Sequence, residues 1–395
     1  MSIIKYMNNY KIRLYPNDDQ IEKFNNHIGA CRFIWNHFLE FENNNYENGG
    51  KFIDNYALSK ELTKLKKEKG REWLNDISNA SMQKICSNLA RAFKLFFKKK
   101  TRYPKFKSKK NSQTIYPSRS DSVYIVDDTL CFIAKIGRVK YKTDLDIPIG
   151  KNKGILNPRI VFDSGKWYLS FSLNIESEVE CDYNKCDSQA FEEIPDKSLV
   201  GIDLGVKTLA TVAFKDKCIK YPNINKTKKM KNIELRINHF QRSLARKYNT
   251  NGNYNKSNRI KKMETELNRL YKKQHNIRYD NIQQITSDIL KLIPNRVVME
   301  DLRVKNLSSN RCMSKHIMDS SFGTFIETMK YKCMRHGIQF KQVPSNYPSS
   351  KTCSCCGYIK KDLKLKDRTY ICPKCGVNID RDYNAAINLM NYNFS

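Results

Sequence analysis

No stretch of 18 or more apolar residues occurs in the 395-residue sequence, so no segment is apolar enough for long enough to span a bilayer as a helix. The opening residues, MSIIKYMNNYKIRLYP, lack the apolar centre of a secretory leader. An intracellular protein without a membrane partner is expected. Acids are scarce: 40 against 72 Lys and Arg, a net charge of +32. So many like charges repel one another in a compact fold, and a polyanion relieves this by giving up condensed counterions. Lysine-rich codon usage can supply part of the excess but does not cluster it. Glycine is scarce too, with five after Gly205 and no two of them clustered, which argues against glycine-rich loops that cradle a nucleotide. The 13 cysteines are odd in number. In an intracellular chain they point to metal ligands rather than disulfides.

Apolar residues make up 40% of the chain, enough for packed cores. At this length two or three domains are expected. Residues 8–16 read as a short strand ending at Pro16. Asn17 and Gln20 stand at capping-box spacing. Ile21, Phe24, Ile28, Cys31, Ile34, Trp35 and Phe38 then recur at helical intervals. A second helical block runs from about Tyr56 to Phe97, broken near Gly70. From Thr114 to Ile175 short alternating runs (SVYIV, LCFIA, GRVKYK, NPRIVF, KWYLSFSLNI) predict an all-β module. Residues 176–196 hold eight acids and one lysine and read as a linker. From Ser198 strands and helices alternate in one unit, an α/β pattern.

Two basic stretches stand out. Residues 94–110 carry nine basic residues and no acid, interleaved with Phe96, Phe97, Tyr103 and Phe106. Lys98, Lys99, Lys100, Arg102, Lys105 and Lys107 are the candidate phosphate contacts there. A solvated basic helix end explains this stretch about equally well. Residues 226–278 form a helical hairpin with 16 Lys or Arg against three Glu.

Three carboxylates lie at the ends of apolar segments. In SLVGIDLGVKTLATVAF (198–214) an apolar strand delivers Asp203, and Gly205 turns the chain into a second strand. GIDLG also opens actin-like ATPases, but those need the glycine-rich loops missing here. In NRVVMEDL (295–302) a buried strand delivers Glu300, with Asp301 able to cap the next segment. In NIDRDYNAAINLM (378–390) Asp380 and Asp382 open a helix, and either suits the helix dipole. Asp382 shares a face with Ala385, Ala386 and Leu389. Asp203, Glu300 and Asp382 converging would suit two Mg²⁺ ions about 4 Å apart, and the matching reaction is phosphodiester hydrolysis.

CSCCG and CPKCG supply two Cys-x2-Cys knuckles, Cys353 with Cys356 and Cys372 with Cys375. Four thiolates at this spacing fit one structural Zn²⁺ with no open coordination position. Cys355 is a bystander. Cys31, Cys86, Cys131, Cys181, Cys186, Cys218, Cys312 and Cys333 read as small structural residues.

GIDLGVKTLATV, VVMEDLRVKNL and SSKTCSCCG–CPKCG–DRDYNAAINL resemble the split RuvC domain and zinc ribbon of the transposon-encoded TnpB family, relatives of type V CRISPR effectors and Fanzor proteins. YKIRLYPNDDQIEKFNNHIGACRFIWNHFL and RYPKFKSKK resemble the family's opening segments. The resemblance spans nearly the whole chain. It implies a multidomain α+β protein. Residues 1–16 and 104–176 would form a wedge β-barrel, and 17–103 an inserted helical recognition lobe. Residues 177–197 would be an acidic linker, and 198–395 a ribonuclease H-like (RuvC) α/β nuclease domain with its ribbon at 350–377. It further implies RNA-guided DNA cleavage with a guide RNA and target DNA as partners. Asp203, Glu300 and Asp382 would be the catalytic Mg²⁺ ligands, and Cys353, Cys356, Cys372 and Cys375 the zinc ligands. The expected location is the cytoplasm and nucleoid in a prokaryote or the nucleus in a eukaryote. A non-enzymatic RNA-guided or zinc-ribbon DNA-binding regulator is the competing reading, and clustered buried carboxylates favour the nuclease.

Overall fold

A computed structural model of the chain describes residues 2–108, 114–115, 121–145, 147, 155–179, 198–251, 257–302, 315, 318–364 and 367–393. It divides into two compact units, residues 5–176 and residues 177–395 with 1–4.

In the first unit, strand β1 (Ser2–Tyr15) runs into helix α1 (Asp18–Glu47). The Asn17 side chain accepts from the Gln20 N–H and Gln20 Oε1 accepts from the Asn17 N–H, so the capping box forms as its spacing predicts. Helices α2 (Asn55–Leu65) and α3 (Asn79–Phe97) follow, separated by Gly70 at φ +83° and a single 3-10 turn. Their apolar stripes bury Phe24, Ile34, Phe38, Leu58, Leu62, Met82 and Leu89. Strands β2 (Thr114–Ile115), β3 (Val123–Ile125), β4 (Leu130–Ile133), β5 (Gly137–Lys142), β6 (Leu156–Asp163) and β7 (Lys166–Val179) complete a sheet in the order β2-β6-β7-β1-β5-β4-β3. β1 is therefore an interior strand, antiparallel to β5 with Arg13 opposite Lys142. Its inward residues Tyr10, Ile12 and Leu14 join the helices in one core with Val139, Leu169 and Phe171. The bulk of the acidic stretch, residues 180–197, lies outside the described residues.

The second unit is built on β8 (Leu199–Leu204), β9 (Thr208–Phe214), β10 (Lys217–Pro222), β11 (Arg296–Glu300) and β12 (Gln339–Val343). Their order is β10-β9-β8-β11-β12. β8, β9 and β10 form an antiparallel meander, and β11 and β12 run parallel to β8. The sequence pattern missed β10, a short edge strand in which only Ile219 and Tyr221 turn partly onto the core, between the exposed Lys217, Cys218 and Lys220. Helices α4 (Lys228–Asn251) and α5 (Asn258–Leu290) form the expected hairpin over their own small core of Met230, Ile233, Ile237 and Leu270. The far end of α5 and helix α6 (Phe322–Arg335) cover one sheet face. Ile282, Ile285, Ile289, Phe325 and Met329 meet Val200, Ile202, Val297 and Met299 there. Helix α7 (Arg381–Met390) lies on the opposite face, with Leu389 against Val298 and Val343. A two-stranded ribbon, β13 (Thr369–Ile371) and β14 (Asn378–Asp380), precedes it.

α7 comes very close to the sheet at Gly201. A Cβ there would stand 2.1 Å from the Ala386 carbonyl oxygen and 2.5 Å from the Met390 nitrogen. Only glycine admits this crossing, and Ala385 and Ala386, both fully buried, keep the helix side of it small.

Candidate active site and metal centre

Side chains alternate across a strand. On β8, Val200 and Ile202 face the α5/α6 core, so Gly201 and Asp203 face α7. On β11, Val297 and Met299 face the same core, so Val298 and Glu300 also face α7. The two strands are parallel neighbours, with Ile202 opposite Met299. One step on, Asp203 and Glu300 leave adjacent strands on one face, where strand spacing is about 4.8 Å. α7 crosses this face with Asp382 in its first turn.

The electrostatics follow from that layout. Burial, the Asp382 carboxylate and the Glu300 carboxylate together push Asp203 well above the ordinary carboxylate range. Arg381 opposes the rise and Asp380 adds to it. Burial and the adjacent Asp301 likewise raise Glu300. Asp301 itself is exposed, and its N–H donates to the Val343 carbonyl at 2.9 Å.

Asp380 and Asp382 differ in what they already hold. Asp380 is the N-cap of α7. Its Oδ1 accepts from the N–H groups of Asp382 and Tyr383 (3.1 and 3.0 Å), and its Oδ2 from Lys220 Nζ at 2.7 Å. Burial would raise this carboxyl, but Lys220 and the two N–H donors outweigh it and hold it below its usual range. Asp382 accepts at Oδ1 from Arg381 Nη2 (3.0 Å) and Nε (3.2 Å), which leaves Oδ2 for another partner. Sequence reasoning missed Lys220 and Arg381, the cations that temper this acidic face. The Asp-Arg-Asp run was the available sign for Arg381.

The ribbon draws the four expected cysteines together. The Sγ atoms of Cys353, Cys356, Cys372 and Cys375 lie within 4.8 Å of one another. Among the described residues this is the one group of three or more His, Cys, Asp or Glu side chains gathered closely enough to hold a single metal ion. In each knuckle the glycine N–H returns to the first cysteine carbonyl, Gly357 to Cys353 at 2.9 Å and Gly376 to Cys372 at 3.0 Å. Both glycines have φ near +73°, a region closed to most side chains. Burial would raise the Cys372 thiol, yet the N–H groups of Cys375 and Lys374 and the Cys356 thiol draw it down to about 6. A compact set of four sulfurs with thiolate-stabilising N–H donors fits a tetrahedral zinc. Cys355 is exposed and outside the set, as its position suggested.

Elsewhere Cys31, Cys86, Cys131 and Cys333 are buried as expected, while Cys218 is exposed on the edge strand β10. Cys181, Cys186 and Cys312 lie outside the described residues.

Of the candidate phosphate contacts, Lys98, Lys99, Lys100, Arg102 and Lys105 are exposed. Lys107 is not free. Its Nζ sits 3.7 Å from the centroid of the Trp35 ring, and its N–H donates to Asn36 Oδ1 at 2.8 Å. Burial lowers its ammonium. Among the nearby aromatic side chains, Tyr103 packs edge-on against Phe93 and Phe96, and Phe97 stacks on Phe93 and lies tilted against Phe96, while Phe97, Tyr103 and Phe106 all remain exposed on their outer sides.

Three family models match the chain. One described as "Probable transposase" covers residues 176–311, "Cas12f1-like, TNB domain" covers 322–389, and "Helix-turn-helix domain" covers 7–51. In this chain the last segment is a strand and one unbroken helix followed by a turn. A protein named "Putative RNA-guided DNA endonuclease InsQ", from Escherichia coli (strain K12), is 28% identical over 98% of this chain and 92% of its own length. A "Putative RNA-guided DNA endonuclease" from Streptomyces pristinaespiralis is 26% identical over 96% of this chain and 88% of its own. The fold is similar to that of the protein in the "Cryo-EM structure of the Cas12f1-sgRNA-target DNA complex". That match has a TM-score of 0.57 at 15% identity and covers 95% of this chain and 83% of the other.

Proposed function

The chain belongs to the TnpB family, and from that premise we propose that it is an RNA-guided DNA endonuclease that hydrolyses phosphodiester bonds with bound Mg²⁺. The observation that carries the reading is the shared face of Asp203, Glu300 and Asp382. Asp203, crowded by burial and by the Asp382 and Glu300 carboxylates, and Glu300, raised by burial and Asp301, favour a cation partner on this face, and hard oxygen donors suit Mg²⁺. In this reading the three side chains hold two ions, which when bound supply an activated water and stabilise the leaving oxygen. Asp380 caps α7 and pairs with Lys220, so Asp382 is our third ligand. One Zn²⁺ held by Cys353, Cys356, Cys372 and Cys375 keeps the ribbon folded.

We assign residues 198–395 to a RuvC-like, ribonuclease H-fold nuclease domain with its ribbon at 350–377. The five-stranded mixed sheet with carboxylates at strand ends supports this. Residues 1–16 and 104–176 would form the wedge β-barrel and 17–103 the helical recognition lobe, with 177–197 as linker. The interior position of β1 among later strands supports the first two assignments. A guide RNA and a target DNA are the proposed partners, the relatives' names and the charge of +32 being the support. Pairing would then read sequence while the protein holds backbone. Transposon association rests on the transposase family match.

The test is cleavage by the purified protein with its co-purified RNA, with and without Mg²⁺. Asp203→Ala, Glu300→Gln and Asp382→Ala should each abolish cutting and retain RNA. Binding to target DNA with no Mg²⁺-dependent cutting by the unaltered protein would leave a nuclease-independent regulator instead.

A further inference from the structure

Asp382 sits on a helix that is held on two sides. At 100° per residue, Asp382, Ala385, Ala386 and Leu389 fall within an arc of about 100°, the arc turned to the sheet. Asn384 and Asn388 fall on the adjacent flank, four residues apart. Both are buried, at 0% and 7% exposure. Neither side chain touches the sheet chemistry described above.

Both instead grip the first cysteine knuckle. Asn384 Nδ2 donates to the Thr352 carbonyl at 2.7 Å, and its Oδ1 accepts from the Ser354 N–H at 2.9 Å. These are the backbone groups on either side of Cys353, so one amide reads both, as a neighbouring peptide would. Asn388 Nδ2 donates to the Thr352 carbonyl at 2.6 Å and to the Ser349 carbonyl at 2.7 Å. Four hydrogen bonds thus join two turns of α7 to the backbone at and just before a proposed zinc ligand. A buried amide that loses such partners is left with its polar groups desolvated and unpaired, so the knuckle and the helix are not free to move independently. The knuckle's own shape depends on its metal.

We infer that Asn384 and Asn388 are positioning residues through which the cysteine ribbon sets the place of Asp382, so that a filled zinc site raises the affinity of the carboxylate site for divalent cations. This rests on the reading of Asp203, Glu300 and Asp382 as Mg²⁺ ligands. Arg381 and the Asp380 cap fix the start of the helix locally. The asparagines fix its rotation and height against a second body.

The test uses the full-length protein with its co-purified RNA. Asn384→Ala and Asn388→Ala should keep one zinc per chain and the RNA. Each should need roughly tenfold more Mg²⁺ for half-maximal cleavage and approach the unaltered rate at saturating Mg²⁺. Hydrogen exchange across residues 383–390 should quicken in both, and also in the unaltered protein once a chelator removes its zinc. If Asn384→Ala does not fold, Asn388→Ser carries the same expectation, because it loses the long donor while keeping a small polar side chain. An unchanged Mg²⁺ requirement, or a lowered maximal rate at an unchanged requirement, would overturn the inference. If the unaltered protein cuts nothing at any Mg²⁺ concentration, the nuclease reading fails. The clamp is then judged by exchange alone, and a helix that stays protected after zinc removal would overturn it.

Discussion

Asp203 is where residue-scale forces conflict most. Its carboxylate is crowded by Asp382 and Glu300 with only Arg381 in opposition, so in the Mg²⁺-free chain its charge works against folding. Asp203→Asn should therefore raise the melting temperature measured without Mg²⁺ while eliminating cleavage, and an unchanged or lowered temperature would contradict the crowding argument. Glu42, in the first unit, is a second such residue. It is buried at 5% exposure and accepts from the Ile53 N–H, and burial lifts its carboxyl to about 7 against that hydrogen bond. A folded value above the unfolded one means this group's contribution is fully present below about pH 4.5. It is lost as pH rises through about 7. Glu42→Gln should leave the melting temperature nearly unchanged at pH 5 and raise it by several degrees at pH 8, read by scanning calorimetry. What was legible at this scale was whatever short spacing encodes, such as the paired Cys-x2-Cys knuckles. The Lys107–Trp35 contact was not legible, because it joins residues more than 70 positions apart and a count of lysines cannot show which one is already engaged.

Elements carry the site through their crossings. Gly201 on β8 lets α7 lie close enough for Asp382 to share a face with Asp203. Gly201→Ala should lift the helix, lowering stability by about 1–3 kcal/mol and cleavage with it, although no ionisable group is touched. Denaturant unfolding at saturating Mg²⁺ would show this, and an unaltered midpoint would refute the close approach. Cys372→Ser should lower zinc content below one per chain and destabilise the second unit. Zinc found at full occupancy by metal analysis would contradict the four-sulfur assignment. The helix and strand patterns of the sequence corresponded to elements wherever one face is apolar, as in α1 and in β8. They failed at β10, a short edge strand whose face toward the core is only the partly buried pair Ile219 and Tyr221, too brief an alternation to stand out. The place of β1 beside β5 and β7 could not be read from periodicity at all, which is local. It was implied by family resemblance.

For the whole molecule, charge is the governing quantity. Replacing Lys98, Lys99 and Lys100, all exposed on the chain that leaves α3, with alanine should weaken nucleic-acid binding and flatten its salt dependence by up to two or three units of slope, without altering which sequence is preferred. A change in preferred sequence would mean that these lysines read bases. Exchanging the guide segment of the bound RNA should move the cut sites to the new complement. Cuts that stay at the old sequence would leave a nuclease that reads DNA by itself.

The interior seat of β1 also dictates the order in which the chain can assemble as it leaves the ribosome. Its partners β5 and β7 are made more than 120 residues later, so this strand waits without them while the helices after it are synthesised and able to pack. Sheet closure is then a late, non-local event, which slows folding and leaves the edges of a fresh apolar strand exposed to other nascent chains. Expression at lowered temperature, with slower translation and weaker aggregation, is the condition under which this chain should be recovered in its highest soluble yield.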